Sequence, residues 1–393
     1  MTSLLLRLKH LCGFLFGIVY FTSGLLKLMD PTGAGLVMKE YYDFLHIGFM
    51  APTATFFGVT LALAETLLGV ALACGVWKKV IGKIAIIMQG VFTLLTVFLL
   101  IFNPEMDCGC FGEAIHLTHL ETFLKNIILL ALILAYYYPR KMLGDTETKT
   151  RKYVSLGIVS TSAIGLMIYS LLSIPPIDFT AYKPGTELLA AASNGGDDIY
   201  EAVFTYRKDD EVRSFTLDEL PDSTWTFVST ETRLKPGIED STVELSIYDT
   251  KSQSYVDTLA ANGKVMVVSV YDPDIRTKRW NKIGTIARRA QECGVKTMII
   301  TTDTAAIPAD LLDITYTSDY KTLISLNRSN GGSTYFDNGT LIKKWSYLGA
   351  PAEEEIKTVL SADPTETAID YESKGSLGFQ GFLLYVFAVL LLL

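Results

Sequence analysis

Asn103-Pro104-Glu105-Met106-Asp107-Cys108-Gly109-Cys110-Phe111-Gly112 separates two apolar runs, residues 80–102 and 120–138. Each run is near the ~20 residues an α-helix needs to cross a bilayer, so the stretch between them reads as a loop joining two spans. The loop is acidic and holds two of the chain's five cysteines, one residue apart. Thiols this close can form a small, strained and exchangeable disulfide, or they can hold a metal ion. A free cysteine is usually buried, so a pair in a loop needs a reason to be there. The plainer alternative is that both are small residues of a tight turn.

Further apolar runs occupy residues 11–29, 54–77, 153–174 and 377–393, which makes six expected spans in all. The first follows Arg7, Lys9 and His10 and ends without a small-residue cleavage site. It therefore reads as an uncleaved helix and not as a secretory signal. The last is short and lacks a charged anchor. Basic residues mark alternate loops: Arg7 and Lys9, then Lys78, Lys79 and Lys83, then Arg140, Lys141, Lys149, Arg151 and Lys152. The loops between hold only Lys39 in residues 30–50 and no Lys or Arg in residues 103–119. Basic loops stay cytoplasmic, so both termini are expected inside, with the cysteine loop and residues 175–376 on the other side. That side is the oxidising one, where a disulfide persists.

The composition agrees with a chain divided between membrane and water. Of 393 residues 49% are hydrophobic, the net charge is −8, and the mean hydropathy is +0.31. Mild acidity without a basic stripe excludes nucleic acid as a partner. Membrane lipid and other envelope or membrane proteins are the expected partners. Five scattered cysteines do not make a disulfide-stapled domain.

The long segment after the fifth span has two characters. Residues 177–252 alternate apolar and polar positions, as in Tyr200-Glu201-Ala202-Val203-Phe204-Thr205-Tyr206. They break at Lys208-Asp209-Asp210 and Leu220-Pro221-Asp222, which reads as hairpins of a small β element. Residues 263–360 read as buried strand, helix, buried strand, hairpin and helix, the order of an α/β layered domain. The hairpin turns on Asp337-Asn338-Gly339, and residues 361–374 read as a polar linker.

Glu65 lies inside the second span, where a carboxyl costs ~2–3 kcal/mol by insertion scales unless it is protonated or paired. Lys27, near the outer end of the first span, is the nearest basic candidate, although such a lysine can also snorkel to the interface. Glu65 reads equally as a helix-packing hydrogen-bonding group and as a proton- or quinone-binding one. His116 and His119 follow the cysteines, so Cys108, Cys110, His116 and His119 make an alternative zinc or copper set, at a spacing that is not a standard zinc pattern. A protonated histidine would favour a thiolate, whereas Glu105, Asp107 and Glu113 would oppose one. Cys12 and Cys74 read as small packing residues. Cys293, beside Gly294, reads as a helix C-cap.

Two resemblances follow from these residues. Ser23-Gly24-Leu25-Leu26-Lys27-Leu28-Met29-Asp30-Pro31, Glu65 with Gly69, the Asn103–Gly112 stretch and Thr122-Phe123-Leu124-Lys125-Asn126 carry the first. On them residues 1–140 resemble the DoxX-like family of four-helix bacterial membrane proteins, nearest its redox-associated branch with the methylamine-utilisation protein of the E type. Residues 263–360 resemble a thioredoxin-like domain in strand order and in the Asp337-Asn338-Gly339-Thr340 hairpin. They depart from it where a redox-active member has Cys-x-x-Cys, since the junction here is Val270-Tyr271-Asp272-Pro273-Asp274-Ile275-Arg276. The resemblances imply a four-helix bundle in a bacterial inner membrane and a periplasmic thioredoxin-like α/β domain without thiol chemistry; the apolar runs at 153–174 and 377–393 are the expected fifth and sixth spans.

Two functional classes follow. One is a membrane thiol–disulfide oxidoreductase or accessory in which Cys108 and Cys110 cycle, with Glu65 and Lys27 as further site residues and a quinone or metal ion as possible cofactor. The other is a non-catalytic scaffold whose outer domain binds envelope proteins.

Overall fold

The computed structural model describes residues 2–104, 106–143, 150–189, 200–208, 211–221, 224–234 and 242–391. Glu105, Lys149, Asp209, Asp210, Asp222, Leu392 and Leu393, all named above, lie outside the described residues. The chain divides into two compact units, Met1–Phe179 with Ser373–Leu393, and Thr180–Glu372.

The first unit is helical. In chain order it contains α1 (Thr2–Met29), α2 (Pro31–Phe44), α3 (Ala54–Cys74), α4 (Lys78–Phe102), α5 (His119–Tyr137) and α6 (Thr150–Leu172). Among the described residues five helices are long and apolar enough to span, in Leu4–Met29, Gly48–Cys74, Lys78–Phe102, His119–Tyr137 and Thr150–Leu172. These are the helices of a multi-pass membrane protein.

Small residues set the crossing of α1 and α3. A Cβ on Gly17 would come within 2.7 Å of the Gly69 carbonyl oxygen, and one on Gly24 within 2.6 Å of the Ala62 carbonyl oxygen. Lipid tails are as apolar as leucine, so helices in a bilayer associate through such close backbone packing. The crossing brings the C-terminal half of α1 against the middle of α3, and the cluster of Phe16, Tyr20, Leu68, Leu72, Leu129, Ile133 and Tyr136 fills the space towards α5.

Residues 30–50, expected as a loop, contain α2. Asp30 caps it by accepting from the Gly33 N–H at 2.9 Å, and Pro31 occupies its first turn, where a missing N–H costs nothing. Gly33 and Gly35 argue against a helix by propensity. Packing overrides this, because a Cβ on Gly35 would meet the Thr55 hydroxyl at 2.5 Å and one on Gly58 the Ala34 carbonyl at 2.6 Å.

The second unit holds the short α7 (Thr258–Ala261), α8 (Thr277–Glu292), α9 (Tyr320–Leu326) and α10 (Glu353–Ser361). Its main sheet has nine strands in the order β6-β2-β13-β12-β9-β10-β11-β7-β8. The long central ones are β9 (Lys264–Val270), β10 (Lys296–Thr301), β12 (Gly332–Asp337) and β13 (Thr340–Trp345), and the three-residue β11 (Thr315–Thr317) follows β10. β10 runs parallel to β9, while β12 pairs antiparallel with both β9 and β13. Alternation along β9 feeds both faces. Met266, Val268 and Val270 pack with Trp280, Ile283 and Ile286 of α8 and with Ile356 and Val359 of α10. Val265 and Val267 pack with Leu323 and Leu326 of α9 and with Ala260. A strand buried on both sides reads as the continuous apolar run seen in the sequence. At the hairpin Asn338 and Gly339 have φ of 47° and 82°, as a two-residue turn between twisted strands requires.

The expected β element at 177–252 is divided. Residues 200–234 form a separate antiparallel sheet, β4 (Glu211–Thr216)–β3 (Tyr200–Lys208)–β5 (Thr226–Leu234). The two-residue strands β2 (Glu187–Leu188), β6 (Thr242–Val243), β7 (Tyr248–Asp249) and β8 (Ser254–Tyr255) join the edges of the large sheet. Residues 361–374, expected as a linker, are mostly helical, because α11 (Pro364–Leu391) runs unbroken from Pro364. Val386 and Val389 of α11 pack with Val70, Cys74 and Val159 of the helical unit.

Candidate functional site

The α1–α3 crossing puts Lys27 beside Glu65. The ammonium reaches both carboxylate oxygens, at 2.8 and 2.9 Å, and the two side chains are only 12% and 2% exposed. Ser23, one helical turn before Lys27, lies 2.8 Å from Glu65 Oε2 and 2.6 Å from the Cys110 carbonyl oxygen. The hydroxyl has one hydrogen for these two acceptors. Glu65 is thus paired inside the bundle, as its cost in a span requires.

The cysteine loop folds back onto this pair. Gly109 and Gly112 have φ of 59° and 62°, and the Gly112 N–H donates to the Gly109 carbonyl at 3.2 Å, which closes a turn around Cys110 and Phe111. A Cβ on Gly109 would overlap Val37 of α2, so glycine is needed both for its conformation and for that approach. Tyr41 of α2 donates to the Cys108 carbonyl at 3.0 Å. Ser23 from below and Tyr41 from the side therefore hold the two cysteines' backbone.

Both cysteines are thiols, Cys108 buried and Cys110 half-buried. Burial pushes the Cys108 thiol above its ordinary value, and Cys110 and Asp107 push the same way. The Thr122 hydroxyl, which has no oxygen or nitrogen partner, and the Lys125 ammonium favour the thiolate. The sequence pointed to the acidic neighbours as the obstacle to a thiolate; desolvation is the larger one.

A cavity of about 190 Å³ lies under the loop. Cys108, Gly109 and Cys110 form one wall together with Lys27 and Glu65; Val37, Met38 and Tyr41 line it from α2, and Leu61, Phe92, Leu95 and Leu129 from the spans. Tyr20 donates to Gln89 at 2.8 Å, and Gln89 to the Asn126 carbonyl at 3.1 Å, which supplies a polar end within the same cavity. The structure therefore brings Cys108, Cys110, Glu65 and Lys27 into one site. Ser23, Tyr41, Gln89, Thr122 and Lys125 join them. Ser23, Thr122 and Lys125 belong to stretches that carry the resemblance in the sequence; Tyr41 and Gln89 do not, since a lone Tyr or Gln in an apolar stretch carries no spacing signal.

The alternative metal set does not assemble. His116 Nδ1 faces Asp107 at 3.0 Å, while the two ring nitrogens of His119 face Asn103 Oδ1 and the Met106 carbonyl, each at 3.1 Å. Both rings are thus engaged by loop oxygens, and among the described residues no three His, Cys, Asp or Glu side chains converge to hold a metal. Cys12 and Cys74 pack in different apolar clusters. Cys293 caps α8 before Gly294, whose φ is 80°, and packs on the sheet's helical face. At the 270–276 junction Asn330 Nδ2 donates to the Asp272 carbonyl at 2.8 Å, and Arg279 donates to the Asn330 carbonyl.

Comparison with known proteins matches separate parts of the chain. Protein TlpB of Flavobacterium psychrophilum is 25% identical over 215 residues, 52% of this chain and 54% of that protein. The chain thus spans about half the length of the curated relative it matches. No solved structure matches it. Residues 200–236, which contain the separate three-stranded sheet, match a domain of unknown function, DUF8463. Residues 5–139, which carry α1 to α5 and the whole cavity, match the family described as methylamine utilisation protein MauE.

Proposed function

We propose that the chain is an inner-membrane, redox-associated protein whose Cys108/Cys110 loop carries out thiol–disulfide exchange on the periplasmic side. The observation that carries this reading is the convergence of both thiols with the buried Lys27–Glu65 pair on one cavity wall. A turn staple needs no such backing, because an ion pair inside a span costs free energy that packing alone would not justify. Cys110 is the accessible thiol that meets a partner, and Cys108 is the resolving one behind it.

In this reading the outer unit is a thioredoxin-like domain that has lost thiol chemistry and binds envelope proteins. The central order β13-β12-β9-β10, with its parallel and antiparallel pairings, supports the fold. The junction after β9 supports the loss, because the Asp272–Asn330–Arg279 hydrogen bonds stand where a Cys-x-x-Cys pair would. Both termini are cytoplasmic, and α11 provides a sixth span.

Thiol trapping in intact cells tests the exchange. Cys108 and Cys110 should be recovered as a mixture of dithiol and disulfide, and Cys108→Ser should leave Cys110 in a trappable mixed disulfide with a partner protein. A pair that is fully oxidised, inert to mild reductant and dispensable by double serine substitution would leave the scaffold role alone.

A further inference from the structure

Closing a disulfide between Cys108 and Cys110 releases two electrons and two protons, and something must take them. Among the described residues no second dithiol shares the cavity, since neither Cys12 nor Cys74 lines it and the two pack in different apolar clusters. What the cavity offers instead is a largely apolar chamber inside a membrane bundle, with polar groups on its walls. An apolar cavity of about 150 Å³ is enough to hold a benzene ring, so 190 Å³ takes a substituted six-membered ring. The Lys27 ammonium, which gives Glu65 two of its three hydrogens, and the Gln89 amide are the hydrogen-bond donors that a flat apolar molecule with two carbonyls would meet.

We propose that this cavity binds the ring of a membrane-soluble quinone, which accepts the electrons of the Cys108/Cys110 dithiol. This rests on the thiol-exchange reading and names the other substrate of the same site. The step balances as two S–H bonds broken and one S–S bond formed, with the quinone's two carbonyls becoming two O–H groups. Protons have a route on the cavity wall. Ser23 has one hydrogen for two acceptors, Glu65 Oε2 and the Cys110 carbonyl. Ser23 thus joins the backbone of the cysteine loop to the Lys27–Glu65 pair, and the two protons that leave the thiols pass along this wall to the quinone's carbonyls.

The test uses the full chain in lipid nanodiscs, reduced and kept free of oxygen. The probe is 2,3,5,6-tetramethyl-1,4-benzoquinone, whose substituted ring carbons exclude direct thiol addition. One equivalent of quinol should form as alkylatable Cys108 and Cys110 disappear. The Cys108→Ser/Cys110→Ser variant, which cannot turn over, should bind the same quinone saturably, and Leu61→Trp in that background should bind it about tenfold more weakly because the side chain occupies the ring's place. Leu95→Phe, a smaller filling of the same cavity, serves if Leu61→Trp does not fold. Absence of saturable binding, or binding that neither filling weakens, overturns the quinone site. Exchange with glutathione disulfide, run on the native chain in parallel, tells whether the thiol reading survives that result. Binding without quinol formation overturns the electron transfer.

Discussion

Cys108 lies deeper than Cys110, and its depth sets its reactivity. Burial raises its pKa, with Cys110 and Asp107 adding to the effect, while Thr122 and Lys125 work in the opposite direction. Only the thiolate reacts, so in a Cys110→Ser background the alkylation of Cys108 should rise with pH through a midpoint above that of an ordinary thiol. Asp107→Asn removes a negative charge and should lower the midpoint; Lys125→Met and Thr122→Val each remove a group that favours the thiolate and should raise it. Iodoacetamide rates followed across pH read all three, and a midpoint indifferent to Lys125 would place that ammonium outside the loop's electrostatics. The Lys27–Glu65 pair makes a second residue-scale prediction. Removing one partner of a buried pair strands the other and costs about 3–5 kcal/mol, whereas replacing both with apolar residues is often neutral. Glu65→Leu should therefore destabilise the bundle, and Lys27→Met added to it should recover most of the loss in thermal unfolding. Thiol exchange should fail in the double variant in spite of the recovered stability. Glu65 was legible in the sequence because a carboxyl in a span stands out. Its partner became certain only with the crossing of two helices, which no local pattern records.

At the scale of elements, the contact of α1 with α3 decides whether a site exists. A Cβ on Gly69 would overlap the Phe21 backbone and come within 2.6 Å of the Gly17 carbonyl oxygen. Neither neighbour is a side chain that can swing away. Gly69→Leu should therefore push the helices apart, costing ~1–3 kcal/mol as overpacking does, and should separate Lys27 from Glu65. Thermal unfolding reads the first effect, and faster alkylation of Cys108 the second, since the loop loses its support from Ser23. A fully stable Gly69→Leu protein with unchanged Cys108 protection would show that the close crossing is dispensable. Five of the six expected spans match helices long and apolar enough to cross, four of them to within three residues at each end. Helix α1 begins at Thr2, well ahead of the expected run at 11–29, because length and apolarity suffice to find a span but not its first turns. Helix α2 was not, because its glycines signal flexibility locally and serve close packing against Thr55 and Gly58 in the fold. The edge strands β2, β6, β7 and β8 escaped for another reason. Two residues cannot show a period of two, and their place in the large sheet depends on pairing partners far away in sequence.

At the scale of the whole molecule, the charge pattern and the site lie at opposite ends of the spans. Lys78 Nζ lies 3.3 Å from His10 Nε2, and Lys9 donates to the Pro139 carbonyl at 2.9 Å, so the start of α4 meets the start of α1, and α1 meets the end of α5. A Cβ on Gly75, at the end of α3, would have both Lys78 Cε and Lys152 Nζ within 3.5 Å, which adds α6 to the same basic end. The 25 residues of α4, at 1.5 Å each, carry the chain about 37 Å from there to Asn103 and the cysteine loop. Basic residues scattered through the sequence are thus gathered at one end of the helical unit, as a common cytoplasmic side would require. A reporter fused after Lys79 should accordingly read as cytoplasmic, and one after Gly263 as external. The two readings must move together. Residues 175–376 follow a fifth span, and an odd number of crossings from an inside N-terminus leaves them outside. Replacing Lys78, Lys79 and Lys83 by Gln weakens the bias and should increase the inverted fraction, seen as a loss of external signal at Gly263 with a matching gain inside. A cytoplasmic reporter at Gly263 in the native chain would overturn this orientation. It would also put Cys108 and Cys110 in a reducing compartment, where a disulfide between them would not persist.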